Sequence, residues 1–126
     1  MTLNRGWSYR EQLGPAAAGL TALDYLATSR PHSTAAEWAA RFARGEVEIE
    51  GVVVPPTSPL RPGHTLVWHR PPWDEPEVPR RFTLLHEDEA MVAVDKPSGL
   101  PTMPAGGFLE HTLLHLVRER FPEAKV

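Results

Sequence analysis

Phe-Thr-Leu-Leu-His-Glu-Asp-Glu-Ala-Met-Val-Ala-Val-Asp-Lys-Pro-Ser-Gly-Leu-Pro-Thr-Met-Pro, residues 82–104, is the stretch from which the rest of the chain can be read. Residues 82–85 are apolar and suit a strand. His86-Glu87-Asp88-Glu89 is a charged turn, and residues 91–94 form a continuous apolar run of the kind found in strands buried on both faces. The pattern predicts a hairpin or two neighbouring core strands. Asp95-Lys96-Pro97-Ser98-Gly99 ends the second strand, because Pro97 has no N–H to donate and biases Lys96 to an extended backbone, while Gly99 can take a positive φ. Pro101 and Pro104 keep the next residues extended, and Gly106-Gly107 allows a bend before a new helix.

An acidic turn, an apolar strand and Lys96-Pro97-Ser98-Gly99-Leu100, followed by a helix beginning His111-Thr112-Leu113, resemble the first motif of the RluA-type pseudouridine synthases. Those enzymes convert uridine to pseudouridine in ribosomal and transfer RNA. The resemblance implies that a mixed α/β catalytic domain opens near residue 82 and that the chemistry needs no metal and no nucleotide cofactor. It also implies that Lys96, Pro97 and Gly99 lie at the edge of the catalytic cleft and shape its floor. Taken without the resemblance, the same residues are a surface lysine and a turn.

The 126 residues suffice for one ordinary domain or two very small ones. Hydrophobic content of 41% and charged content of 23% are those of a soluble globular protein, and most of the 14 prolines fall between Pro55 and Pro104. The formal charge of −3 gives no general basic field for nucleic acid. The charge is uneven, however: residues 1–70 hold seven arginines against six acids, and residues 71–126 six basic residues against ten acids. The absence of cysteine excludes disulfides and thiolate metal sites. No apolar run reaches the length of a membrane span, and residues 1–20 lack the pattern of a signal peptide, so a cytoplasmic protein with no membrane partner is expected.

Residues 1–19 show no defensible period and are taken as an N-terminal extension, with Trp7 and Tyr9 packing on the neighbouring domain. From Thr21 the apolar residues Leu20, Leu23, Leu26 and Ala27 recur at helical spacing, and Arg30-Pro31 ends that helix. Thr34-Ala35-Ala36-Glu37 is a capping box for a second helix with Ala35, Trp38, Ala39 and Phe42 as its apolar face and Gly45 as its stop. Arg41 and Arg44, three apart, share another face of it near the C-terminus, where they complement the helix dipole. Val47 and Ile49 alternate with glutamates, Glu50-Gly51 is a tight turn, residues 52–54 return, and residues 65–68 make a third strand.

Residues 20–70 thus read as a small α+β unit of two helices and an antiparallel sheet. Leu23-Asp24-x-Leu26, Gly45-x-Val47-x-Ile49-x-Gly51 and Leu60-x-Pro62-Gly63-x-x-Leu66 make it similar to the RNA-binding domain named after ribosomal protein S-four. That domain often precedes the catalytic domain in RluA-type enzymes. The departure is Glu50-Gly51, where the family commonly has Asn-Gly. The resemblance implies RNA as partner and makes Arg41 and Arg44 phosphate contacts.

Residues 71–81 read as a Pro-rich interdomain linker. Residues 82–126 then form the start of the catalytic domain, closing with a helix from His111 or Thr112 to Phe121. His111 and His115 are four apart, but no third ligand accompanies them, and no metal site is expected. Glu87, Asp88, Glu89 and Asp95 are read as a solvated turn, not a catalytic carboxylate pair.

The family's essential aspartate belongs to a second motif, His-Arg-Leu-Asp-x-x-Thr-Ser-Gly, and no run in these 126 residues matches it. No residue is therefore assigned as catalytic. The expectation is an N-terminal portion of an RNA pseudouridine synthase, inactive by itself. The alternative is a stand-alone RNA-binding module without catalysis. A third reading is an α+β fragment whose strand at 91–94 and last helix are incompletely covered and favour self-association.

Overall fold

The computed structural model describes residues 2–126, and its α+β chain divides into two compact units, Gly6–Pro71 and Pro72–Val126 with the N-terminal residues through Arg5.

In Gly6–Pro71 the sheet is built from β1 (Trp7–Gln12), β2 (Val47–Ile49), β3 (Val52–Val53) and β4 (Thr65–Arg70), in the antiparallel order β1-β4-β2-β3. Two helices, α1 (Ala22–Ser29) and α2 (Ala35–Ala43), supply the second layer. Their starts are fixed by the threonines the sequence pointed to. Thr21 Oγ1 accepts the N–H of Asp24, and Thr34 and Glu37 form a reciprocal capping box. Gly45, at φ 73°, carries the chain out of α2. The two layers meet on Leu26, Trp38, Phe42, Val47, Ile49 and Leu66, all buried. Each such large side chain contributes about 1.5–3 kcal/mol by leaving water. Ala35, expected on the buried face of α2, is exposed, because it stands in the first turn, before the helix reaches the sheet.

Residues 7–12, read from sequence as part of an extension without regular structure, are instead an edge strand. β1 pairs with β4 over its whole length, from Trp7 opposite Arg70 to Gln12 opposite Thr65, and Leu13 and Ala17 beyond it enter the core. The two strands lie at opposite ends of the unit's sequence, so no local signal announces the pairing.

In the other unit, β5 (Thr83–Glu87) and β6 (Val92–Asp95) form an antiparallel ribbon, and α3 (Leu113–Arg120) comes after it with Thr112 as its cap. Residues 91–94 are not a strand buried on both faces. Val92, Ala93 and Val94 are half-buried and Met91 is exposed, because among the described residues this sheet has two strands and no further neighbour. A bulge between Leu84 and His86 leaves Leu85 out of register and 66% exposed.

Residues 72–81 do not behave as a bare linker. Leu3 bridges Asp74, and the indole N–H of Trp73 donates to the Gly107 carbonyl at 2.9 Å. Glu75 is 3% exposed, with its carboxylate accepting the backbone N–H groups of Leu109, Glu110 and His111. These bonds tie the segment into its unit.

Candidate functional site

The second helix brings Trp38 and Arg41, three residues apart, to one face, where β4 presents Trp68. The Arg41 guanidinium lies 4.5 Å from the Trp38 ring centre and 4.4 Å from that of Trp68, and its Nη1 donates to Ser33 Oγ at 2.8 Å. Two aromatic faces on one cation make a strong cation–π arrangement. Burial lowers the Arg41 pKa, against the pull of Glu37 and Glu46, yet arginine remains charged at any ordinary pH.

Trp68 is the hub of a larger cluster. Tyr9 stacks on it with ring centres 5.2 Å apart and planes at 19°, while Trp38 meets it edge-on at 4.9 Å. His32 lies 6.4 Å away, and the Trp68 indole N–H donates to Glu46 at 3.1 Å. Arg70, two residues on along β4, places its guanidinium 5.9 Å from the Trp68 centre and donates to the Tyr9 hydroxyl at 3.1 Å.

Arg41 and Arg44, paired by helical spacing, have different environments here. Arg44 caps the end of α2, and its Nε donates to Glu46 Oε2 at 2.6 Å, so an acid already answers its charge. Arg41 sits among the rings. Tyr9, expected to pack on the neighbouring domain, does so by stacking on Trp68, whereas Trp7, given the same expectation, is 51% exposed. Trp68 and Arg70 were not singled out from sequence, although their alternation on one strand was an available signal.

In the other unit, Lys96, Pro97 and Gly99 form one elbow. Lys96 Nζ donates to the carbonyls of Leu100 at 2.8 Å and Pro97 at 3.2 Å. Gly99 has φ 86°, the positive value that a type II turn takes at its third position, and the Leu100 N–H faces the Pro97 carbonyl across that turn. Leu100 is thereby delivered into the interior, 2% exposed. The ammonium group braces the turn from which the buried leucine projects.

The acidic turn is built differently from an acid catalyst. Asp88 Oδ1 accepts the N–H groups of Ala90 and Met91, each at 2.8 Å, and Oδ2 lies 2.8 Å from His86 Nε2. The His86 hydrogen bond first, then the two backbone bonds, lower the Asp88 pKa, which favours the ionised form. His111 is buried and bonds the Pro76 carbonyl through Nδ1 at 2.7 Å, so that nitrogen carries the proton. His115 faces Glu119 at 3.4 Å. Among the described residues no group of three or more histidines and acids is placed to hold a metal ion.

Comparison with known proteins adds a second line of observation. The chain is 44% identical over 101 residues, 80% of its length, to an uncharacterized RNA pseudouridine synthase of Synechocystis. It is 35% identical over 115 residues to RNA pseudouridine synthase 5 of Arabidopsis thaliana and 38% identical over 115 residues to that of rice, covering 89% and 88% of its length. Over most of its own length the chain is thus similar to RNA pseudouridine synthases. It spans about a third of the length of these relatives, 35%, 31% and 29% respectively. No family model matches the chain. Each of the three alignments covers at least 80% of the chain. Among the described residues no helix is long and apolar enough to cross a membrane.

Proposed function

We propose that this chain supplies the RNA-holding and cleft-edge parts of an RluA-type RNA pseudouridine synthase, working in the cytoplasm on ribosomal or transfer RNA. The observation that carries the reading is the 44% identity over 101 residues to an RNA pseudouridine synthase. In the reaction the N1–C1′ glycosidic bond of uridine breaks, the uracil turns, C5 bonds to the same C1′, and the C5 proton is lost while N1 gains one. The atoms balance within the nucleotide, so neither a metal nor a redox cofactor is called for.

The unit Gly6–Pro71 holds RNA, with Arg41 as the main phosphate contact and Arg44, already paired to Glu46, as a weaker one. Lys96, Pro97 and Gly99 form part of the cleft floor, and the bracing of this elbow by Lys96 Nζ supports a shaping role over a direct contact with the base. No residue of this chain is assigned as catalytic, and the chain alone is inactive. Exposed Leu85 and Met91 support self-association at high concentration.

The test is to incubate the chain with transfer and ribosomal RNA transcripts, measure binding across a salt series, and analyse the digested nucleosides for pseudouridine. Salt-dependent binding without pseudouridine is expected. Absence of RNA binding overturns the RNA-holding role, and pseudouridine made by the chain alone overturns the assignment of catalysis to residues outside it.

A further inference from the structure

We propose that the outer part of β1 is a stacking platform for unpaired nucleotides, formed by Trp7 and Tyr9 and flanked by the guanidinium group of Arg70. The inference deepens the RNA-holding reading and rests on it: it says which form of RNA this surface takes.

Trp7 and Tyr9 are two residues apart in a strand, so both side chains leave the same face of the sheet. Trp7 is 51% exposed and Tyr9 39% exposed. Two large rings side by side in water are unusual on a unit this small, which elsewhere buries Trp38 and Trp68 almost completely. Tyr9 is also held in place. One face of its ring stacks on Trp68 and its hydroxyl accepts from Arg70, so its orientation is fixed before any ligand arrives. A preset ring loses little conformational freedom when a base stacks on it.

The charges match the same ligand. Arg70 lies opposite Trp7 in the strand register and donates to the Tyr9 hydroxyl, so a cation borders the aromatic row, and Arg41 adds a second positive charge against the Trp68 ring on which Tyr9 rests. Aromatic side chains on a sheet with an arginine at their margin suit single-stranded RNA, whose splayed bases stack while phosphates meet the guanidinium group. Duplex RNA offers no free base faces. An apolar peptide would gain from the rings but not from the bordering cation.

The experiment compares the affinity of the 126-residue chain for a fluorescent oligouridine with its affinity for a duplex of equal length. It is repeated with Trp7→Ala, Tyr9→Ala and the ring-preserving Trp7→Phe. Stacking contributes roughly 1–3 kcal/mol per base, so each alanine variant is expected to lower the oligouridine affinity about 5- to 150-fold relative to the duplex, with Trp7→Phe close to the parent. Thermal denaturation of each variant monitors folding; Trp7→Ala keeps the test decisive if Tyr9→Ala, which removes a contact to Trp68, proves unstable. An unchanged ratio for Trp7→Ala, or a parent chain that binds duplex alone, overturns the platform while leaving RNA holding intact. A parent chain that binds neither RNA overturns both.

Discussion

Glu75 Oε1 accepts the backbone N–H of His111 at 3.0 Å, across 36 residues of sequence, and this contact organises the C-terminal unit. The same carboxylate takes the N–H groups of Leu109 and Glu110 and the side-chain amide of Asn4. Burial opposes its ionisation. The bonds from His111, Asn4, Glu110 and Leu109 outweigh that cost and hold the carboxyl at about 2, against an ordinary 4.5.

Replacing Glu75 by alanine strands three N–H groups just ahead of α3. The expected loss is about 1–3 kcal/mol, with more for full burial of the unpaired donors, read as a lower urea midpoint for Pro72–Val126. Retained stability would mean that water satisfies those donors.

The depressed pKa makes this contribution pH-dependent. Glu75 binds its proton less readily folded than unfolded, so its stabilisation is complete above the unfolded value near 4.5 and is lost as pH falls toward about 2. Stability of the parent chain should fall more steeply than that of Glu75→Gln between those limits. Parallel curves would remove Glu75 as the cause.

Glu50 and Gly51 form the two-residue loop between β2 and β3, with φ 52° and 78°, as a type I′ turn demands. A glutamate is a poor choice for such a backbone, yet its Oε1 accepts the Thr65 N–H at 2.6 Å and its own N–H bonds the Thr65 carbonyl. Glu50→Ala keeps the strained φ and loses the acceptor, and should lower stability by about 1 kcal/mol. Glu50→Gly relieves the backbone and should lose less. Equal losses in chemical denaturation would show that backbone strain plays no part.

Gly99, at φ 86°, has room for a methyl group, since an added Cβ would stand 3.7 Å from Pro79 Cδ. The barrier to substitution is conformational, so Gly99→Ala should lower stability by about 1–2 kcal/mol and speed amide exchange around Leu100. Unchanged exchange would show that the turn tolerates another backbone conformation.

Much of this was legible locally. Thr21, Thr34 and Glu37 announce the helix starts because capping is settled within three residues, and Lys96-Pro97-Ser98-Gly99 announces its elbow through proline and glycine chemistry. What escaped depends on distant partners. The aromatic and charged residues of β1 acquire meaning when β4 lies beside them, and the prolines around Glu75 suggest a linker until Leu109, Glu110 and His111 close on its carboxylate. The spacing of Arg41 and Arg44 put both on α2, but Trp68 and Glu46, contributed by residues beyond the helix, give them different surroundings.

RNA holding by Gly6–Pro71 is tested most directly by measuring the affinity of the chain and of Arg41→Ala and Arg41→Lys for a transfer RNA transcript over a salt series. Binding by the parent should weaken as salt rises, with Arg41→Ala weaker and its salt slope shallower by about one, and Arg41→Lys between them because it keeps charge without a planar face. Identical affinity and slope for a folded Arg41→Ala, or no salt-dependent binding by the parent, would contradict it.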